Sequence, residues 1–479
     1  MNMQPHRSGF PIGMYSRRDV LKSGIGFGAV ALSGLLNREG RTLAGEPVPH
    51  LPMLPQFAAK AKRIIYLFMA GGPSQIDTFD PKPLLNQLDG GSVPESIARN
   101  VPRLSRGSGL QHLMASPFRF QQHGECGMAV SELFPHTAKQ VDDLCLIRSL
   151  NHRNPVHGPG EVLMLTGTAI GDRPSLGAWF TYGLGSENDN LPWFVVMNAN
   201  SEPNQSPQSA GWDTGFLPPK YQGTVVDVSR GIRNIRMPEP YQSASRRRQL
   251  DLLAELNQKH AALGGEQAEL EARIQSYELA FRMQASAPGL FDIKDETQQT
   301  RELYGTDDKA TASMGKHCLV ARRLVEAGVR FVQVRYGGWD AHNRLLENHR
   351  GQALATDKPI AGLLIDLKRR GLLDETLVVW GAEFGRTPTM ESKSKGRDHS
   401  PTAFCYWLAG GGVRGGTTIG RTDDVGYAPV ERALRPSDLH ATLLHLLGIE
   451  QHALSYNHHG RDEIATVFGG DVIQEVLAG

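Results

Sequence analysis

Four continuous apolar segments, each ending in glycine or polar residues, constrain the fold most strongly. The first covers residues 62–70 and runs into the glycine-rich turn 71–73; the others cover residues 144–150, 329–336 and 376–382. A strand that is buried on both faces has this continuous apolar character, whereas a half-exposed strand alternates. Helix-like sequence precedes the later segments, so the pattern predicts an α/β fold with a parallel sheet. Functional groups should then collect at the carboxyl ends of the strands.

The amino-terminal region has the layout of a twin-arginine signal peptide. Arg17 and Arg18 lie in the sequence Ser-Arg-Arg-Asp-Val-Leu-Lys, and residues 23–36 form a short, mildly apolar stretch without charge. A membrane-spanning helix needs about 20 apolar residues, so this stretch predicts a cleaved signal instead. We expect export in the folded state to the periplasm or the cell exterior. An uncleaved anchor at the lipid surface is the alternative.

The predicted domain organisation follows from this signal. Residues 1–44 form the signal peptide, residues 45–60 a proline-containing linker, and residues 61–479 one large domain. Within that domain, residues 243–285 are rich in alanine, leucine and charged side chains, with leucines at helical spacing. This composition predicts a long helical insert with a solvated face, broken near Gly264.

Charge and cysteine usage argue against several classes of function. The net charge is +1 and no basic stripe stands out, so no nucleic-acid partner is expected. The four cysteines have no close pair, which argues against a thiolate zinc site or a redox pair. One or two structural disulfides are an alternative use for them in an oxidising compartment. No later segment reaches membrane length, so the mature chain should have no transmembrane span.

Carboxylates and imidazoles follow several of the predicted strands. Asp340 and His342 come directly after the third apolar segment, and Glu383 ends the fourth. Asp398 and His399 lie in a polar run just before a further apolar strand. Because strand ends share an edge of a parallel sheet, these side chains jointly predict a site for a divalent metal ion.

Longer stretches resemble a known superfamily. Residues 371–385 resemble the segment of sulfatases and related phosphohydrolases of the alkaline phosphatase superfamily in which a strand delivers a metal-binding acid, and residues 437–449 resemble their carboxyl-terminal helix signature. Residues 71–83 and 173–179 are typical of a twin-arginine-exported, sulfatase-like branch known as domain of unknown function 1501. The resemblance implies an alkaline phosphatase/sulfatase-like fold, with a mostly parallel central sheet and helices on both faces.

Three positions depart from the pattern of that superfamily. Sulfatases have paired aspartates after the first strand, where this chain has Gly71 and Gly72. The nearest acid, Asp77, is either a metal ligand or a helix cap. Phe384 occupies a position where phosphatases have a histidine, and His157 occupies the position of the sulfatase nucleophile.

Further site roles are expected around His157. This residue is a metal ligand, a general acid or base, or a nucleophile, with a structural histidine as the alternative. Arg386 is a planar cation, suited to bidentate contact with the oxyanion of an ester. His152 and Asn154 lie on the same predicted loop as His157 and are expected to contact substrate.

Two functions are compatible with these features. The first is an exported metal-dependent hydrolase of sulfate or phosphate esters, acting on a small-molecule or glycan ester through Zn²⁺, Ca²⁺ or Mg²⁺. The second is a catalytically degenerate relative that binds carbohydrate or a partner. Its aromatic surface would come from tryptophans of the kind that sugar recognition uses, namely Trp179, Trp193, Trp212, Trp339 and Trp407. The sequence defines no oligomeric state.

Overall fold

The computed structural model describes residues 56–99, 112–200, 209–228, 243–261, 278–279, 281–283, 288–391, 393 and 395–479. The predicted signal peptide, residues 1–44, lies outside these residues, as does most of the predicted linker. The end of the linker is anchored to the domain, because the backbone amides of Gln56 and Phe57 donate to the carbonyl of Gly448.

The strands define the central layer of the fold. In chain order, the described strands are β1 (Arg63–Phe68), β2 (Phe120–His123), β3 (Met128–Ser131), β4 (Leu144–Leu150), β5 (Phe194–Asn198), β6 (Thr224–Val226), β7 (Phe331–Arg335), β8 (Thr376–Gly381), β9 (Gly385–Arg386), β10 (His399–Ser400), β11 (Phe404–Ala409), β12 (Thr417–Ile419), β13 (Arg421–Thr422), β14 (Pro429–Glu431), β15 (Ser455–His458) and β16 (Arg461–Ile464).

Eight of these strands form one sheet in the order β12-β4-β11-β8-β1-β7-β5-β6. Strand β11 is antiparallel to both of its neighbours, and the remaining pairs are parallel. The predicted α/β class with a mostly parallel sheet is therefore confirmed. The four apolar segments coincide with β1, β4, β7 and β8, whereas no prediction covers β5 or the three-residue edge strands β6 and β12.

The helices cover both faces of this sheet. In chain order, the described α-helices are α1 (Gln75–Thr78), α2 (Pro83–Gln87), α3 (Glu95–Ala98), α4 (His157–Thr166), α5 (Leu176–Leu184), α6 (Ser243–Ala261), α7 (Pro288–Phe291), α8 (Gln298–Tyr304), α9 (Ala312–Glu326), α10 (Leu345–Arg369) and α11 (Pro436–Leu446). Leu67 of β1 packs into one core with α9 and α10, and Phe68 packs into a second core with α5 and α11. Successive side chains of a strand point to opposite faces, which explains the two separate cores.

Three further expectations are resolved in part. Helix α6 matches the start of the predicted insert, but residues 262–277, including the predicted break at Gly264, lie outside the described residues. None of the helices in the described part of the chain is long and apolar enough to cross a membrane. All four cysteines are free thiols, so the alternative of structural disulfides is not realised.

Candidate metal centre

The sheet topology brings distant side chains to one edge. Strands β1, β4, β7 and β8 run parallel, so their carboxyl ends lie at the same edge, followed by the Gly71 turn, His157, Asp340 and Glu383 respectively. Strand β11 runs the opposite way, and its amino end therefore lies at that edge. His399, just before β11, joins the site for this reason.

Three histidines and one aspartate meet at this edge, and one ligand atom from each lies within 4.8 Å of the others. The Nε2 atom of His342 is 2.9 Å from Nε2 of His399 and 2.9 Å from Oδ1 of Asp340. Nε2 of His399 lies 3.4 Å from Oδ1 of Asp340, and Nε2 of His157 lies 3.3 Å from its Oδ2. The predicted residues Asp340, His342 and His399 are thus brought together, with His157.

The other ring nitrogen of each histidine contacts an oxygen outside this cluster. Nδ1 of His157 is 2.5 Å from Oε1 of Glu383, and Nδ1 of His399 is 2.6 Å from the carbonyl oxygen of Pro155. Nδ1 of His342 contacts a carboxylate oxygen of Glu391. A carbonyl or a carboxylate can only accept, so each neutral ring carries its proton on Nδ1. All three Nε2 lone pairs then face one another and Asp340.

This arrangement fits a bound cation. Lone pairs of neutral imidazoles and a carboxylate repel one another unless a metal ion or protons lie between them. Four ligands at 2.0–2.1 Å from a tetrahedral ion are about 3.3–3.4 Å apart. The four separations given above are 2.9–3.4 Å, and one ligand atom from each residue lies within 4.8 Å of the others. Acceptors behind the rings, such as Glu383 and Glu391, are typical of metal-binding histidines.

Asp340 is held in its charged form. Burial alone would raise its pKa, but hydrogen bonds from the three histidines when their Nε2 atoms are protonated, together with the nearby charge of Arg386, lower the pKa far below its usual range. The buried guanidinium of Arg386 donates to Oδ1 of Asp340 over 2.6 Å. It also donates to the carbonyls of Gly71, Gly72 and Arg397. Arg386 therefore orients Asp340. All of its side-chain nitrogens already bind protein oxygens, whereas the sequence predicted contact with the oxyanion of an ester.

The histidine pKa values reflect the same charges. Burial would lower the pKa of His157, but hydrogen bonds to Asp340 and Glu383 outweigh it and raise the pKa to about 9. The hydrogen bond to Asp340 raises the pKa of His342, while burial lowers that of His399. Without a metal ion, the cluster thus favours a bound proton, as expected where a carboxylate lies among imidazoles.

The turn after β1 shapes the floor of the site. Gly71 has φ +105°, and a Cβ atom there would lie 2.6 Å from the backbone nitrogen of Asp340. Its amide donates to Oε1 of Glu383 over 2.8 Å. Only glycine allows this close approach, which explains why the first strand ends without an acidic side chain. Oε2 of Glu383 is buried and has no hydrogen-bond partner among the described residues.

Asp77 lies apart from the cluster. It is buried within α1, where Arg397 donates to its two oxygens over 2.7 and 3.2 Å and the Ser74 hydroxyl donates over 2.5 Å. Asp77 was expected to be either a metal ligand or a helix cap. Its contacts match neither role in detail, because its carboxylate neutralises the buried Arg397.

The two residues expected to contact substrate make backbone hydrogen bonds. Nδ1 of His152 accepts from the amide of Asn154 over 3.0 Å, so its Nε2 donates to the carbonyl of Glu383 over 2.6 Å. Burial lowers the pKa of His152 to about 4, which keeps the ring neutral. Oδ1 of Asn154 accepts from the amide of Val156. Both residues shape the loop that leads into α4.

Two groups that contact the histidines of the cluster were not predicted from the sequence. Glu391 contacts Nδ1 of His342 and forms a second group of ligand-type atoms with Asp398 and that histidine. Asp398 also accepts from the amide of His399 over 2.7 Å. The only signal for Glu391 was its place in the polar run before Asp398. The carbonyl of Pro155, which binds His399, leaves no signal in a sequence.

The tryptophans offer little surface for a ligand. Trp179, Trp339 and Trp407 are buried in the two cores, and Trp193 and Trp212 are half-buried against the second. Trp179 packs edge-on against Tyr182 and Phe216. These contacts assign the aromatic side chains mainly to packing.

Three solved structures illustrate what the fold is similar to. A protein of the alkaline phosphatase superfamily from Vibrio parahaemolyticus aligns with a TM-score of 0.36 and 10% identity, covering 97% of this chain and 80% of that one. A phosphonate monoester hydrolase from Silicibacter pomeroyi gives 0.37 and 10%, with 86% and 76% covered. The lipoteichoic acid synthase LtaP from Listeria monocytogenes gives 0.34 and 10%, with 87% and 76% covered.

Sequence comparison identifies the family. No curated protein is significantly similar in sequence to this chain. A family model described as "Protein of unknown function (DUF1501)" matches residues 61–477, which include the whole cluster around Asp340. The chain therefore belongs to the DUF1501 family.

Proposed function

We propose that this chain is a metal-dependent hydrolase of sulfate or phosphate esters that acts outside the cytoplasm. The observation that carries the proposal is the convergence of three Nε2 atoms on the Asp340 carboxylate, with every Nδ1 bonded to an acceptor. Such a set of converging donors, each ring held by an acceptor on its other nitrogen, is characteristic of a metal site.

The donor set favours Zn²⁺ or a similar transition-metal ion. Three imidazole nitrogens and one carboxylate, from His157, His342, His399 and Asp340, are ligands that suit zinc. Zinc can expand from four to five ligands, so a water molecule or an ester oxygen would bind in addition to these four residues. Ca²⁺ and Mg²⁺ prefer six or more oxygen ligands, which this cluster does not supply. Of the metals considered from the sequence, zinc therefore fits best.

The protein's own residues have distinct roles in the proposed reaction. A divalent ion supplies Lewis acidity toward an ester oxygen and lowers the pKa of a water molecule. Arg386 fixes Asp340, and Oε1 of Glu383 fixes the His157 ring. Oε2 of Glu383 has no described donor and is suited to accept a proton released in the site.

The nucleophile is expected to be water. His157 occupies the position of the nucleophile in sulfatases, and its two nitrogens already face Glu383 and Asp340. A ring held in this way is suited to ligation rather than to attack on an ester. We therefore expect direct hydrolysis without a covalent enzyme intermediate, and no transfer of the sulfuryl or phosphoryl group to added alcohols.

Elemental analysis combined with turnover tests the proposal. The purified protein should contain about one transition-metal ion per chain, and His342→Ala or His399→Ala should remove both the metal and the hydrolysis of a panel of sulfate and phosphate esters. His452→Ala, at an exposed histidine outside the cluster, is the matched control and should retain both. Full metal loading with no turnover on either ester class would contradict the proposal.

Export is tested separately. Arg17→Lys with Arg18→Lys should leave the precursor in the cytoplasm, because the twin-arginine route recognises the pair itself. Arg38→Lys with Arg41→Lys keeps the same number of substitutions outside the motif and should be exported normally. Cell fractionation measures both, and unchanged export of the first variant would refute this route.

A catalytically degenerate binding protein is the second candidate. The observation in its favour is His157 at the nucleophile position, in place of a serine, threonine or cysteine. The burial of Trp179, Trp339 and Trp407 weakens it, because sugar recognition needs exposed aromatic rings. Glycan binding that persists after metal removal, without turnover, would favour this candidate.

A further inference from the structure

The arginines at the floor of the site are already neutralised. Arg386 is bonded to Asp340, and Arg397 is bonded to both carboxylate oxygens of Asp77. Both guanidinium groups are fully buried. An anionic substrate entering the site would find these two cations paired, so charge recognition beyond the metal ion itself would come from other residues.

Three exposed cations lie beside His342. We name Arg344, Lys393 and Lys395 the cationic rim. The Arg344 side chain is 72% exposed, and Lys393 and Lys395 are also exposed. Arg344 has one acidic neighbour, Glu347, at 4.0 Å, and no described acidic side chain pairs with either lysine.

Backbone hydrogen bonds hold the rim next to the metal ligands. The amide of Glu391 donates to the carbonyl of Gly396 over 2.9 Å, which closes the loop that carries both lysines. The carbonyl of Lys395 accepts from the amide of Leu345, at the start of α10, over 3.1 Å. A Cβ atom on Gly396 would lie only 1.8 Å from the carbonyl oxygen of His342, so this loop packs directly on a ligand residue.

We propose that the cationic rim binds anionic groups of the substrate beside the ester that is cleaved. The substrate class is then a polyanionic chain that carries several sulfate or phosphate groups. Exposed lysine and arginine side chains attract such a chain over a distance of about 8 Å at physiological salt. The inference rests on the proposed function for the adjacent centre, but the binding it predicts requires no turnover.

A nucleic acid is disfavoured as the polyanion. Single-stranded nucleic acids bind through aromatic side chains that stack on bases, combined with a basic groove. Trp339, the tryptophan nearest in sequence to the rim, is fully buried in the core. The net charge of the whole chain is only +1.

Binding of dextran sulfate and dextran phosphate to the metal-loaded protein tests the rim, with unmodified dextran as the neutral reference. Lys393→Ala with Lys395→Ala should weaken binding of the charged dextrans about tenfold at low salt and reduce its salt dependence. Lys294→Ala with Lys309→Ala removes two exposed lysines elsewhere and should leave affinity unchanged. Preference between the two charged dextrans distinguishes a sulfated from a phosphorylated substrate.

Several results would overturn the inference. The first is that the wild-type protein binds neither charged dextran at low salt. The second is that both double variants weaken dextran binding equally. The third is that a single-stranded oligonucleotide binds more tightly than the charged dextrans. The metal content of both double variants is measured in parallel. It should match that of the wild type, because none of the four substituted lysines belongs to the cluster of candidate ligands. Failure of ester turnover with intact rim-dependent binding would refute the hydrolase and leave the rim standing.

Discussion

Replacing Asp77 by asparagine separates a structural role from a metal-binding one. The substitution keeps the shape of the side chain but removes the charge that neutralises Arg397, and both side chains are fully buried. Arg397 would retain the carbonyls of Met114, Ala115 and Thr387 and the amide oxygen at position 77, but no carboxylate would balance its charge. An uncompensated buried charge is costly because the interior solvates it poorly.

The expected cost is large relative to total stability. Breaking one partner of a buried ion pair costs about 3–5 kcal/mol, whereas a folded domain is stable by roughly 5–15 kcal/mol. Asp77→Asn should therefore lower the free energy of unfolding by about 3–5 kcal/mol, while metal content per folded chain stays that of the wild type. Arg397→Met should cost a similar amount. Combining the two should cost clearly less than the sum of the single effects.

The effect should depend on pH in a defined direction. Burial would raise the pKa of Asp77, but Arg397 and hydrogen bonds from Ser116 and Ser74 lower it overall. A group with a lowered folded pKa stabilises fully above its unfolded value of about 3.9, and this stabilisation is lost as the pH falls through the folded value. The difference between wild type and Asp77→Asn should therefore be constant near neutral pH and shrink in strong acid.

Urea unfolding at several pH values, together with elemental analysis, measures these effects. Loss of metal in folded Asp77→Asn would show that this carboxylate belongs to the metal site and would refute the assignment to Arg397. A loss of stability below about 1 kcal/mol, the range of an exposed ion pair, would refute the buried pairing.

Three further predictions concern the site and the thiols. Glu391→Ala should weaken metal binding roughly 10–100-fold, because His342 loses the acceptor for its Nδ1 proton. Glu391→Gln should recover part of the loss. Chelator competition measures these affinities, and equal affinities of wild type and variants would contradict this role. Gly71→Ala should reduce both stability and metal content, because its Cβ would lie 2.6 Å from the nitrogen of Asp340; a folded variant with full metal content would refute the packing. A thiol reagent should label only Cys126 in the native protein and all four cysteines after unfolding, and native labelling of a second thiol would contradict the described burial.

The strands and several residues of the candidate site could be predicted because both leave local signals. Buried strands appear as apolar runs, and Asp340 and His342 follow one of them directly. His399 could be predicted as a candidate ligand because histidine commonly binds metal ions. Its position in the cluster depends on the direction of β11, which apolar composition does not specify.

The supporting contacts could not be predicted, because they depend on the path of the backbone. Arg386 was expected to bind an oxyanion, yet the carbonyls of Gly71 and Gly72 and the carboxylate of Asp340 surround it. Nothing in the residue types shows that these carbonyls point inward. Likewise, Glu391 reaches His342 only because the loop folds back on itself.

The antiparallel strand β11 also bears on how the protein folds. It lies between β4 and β8, and Phe404 pairs with Leu150, a residue more than two hundred positions earlier in the chain. Pairings this distant close late, since a long loop must lose its entropy first. The pairings of β1 with β7 and β8 span even more of the chain, so the four side chains of the cluster should come together only in the last steps of folding. Uptake of the metal ion would then report that the sheet is complete, and a chain stalled before this step would remain free of metal.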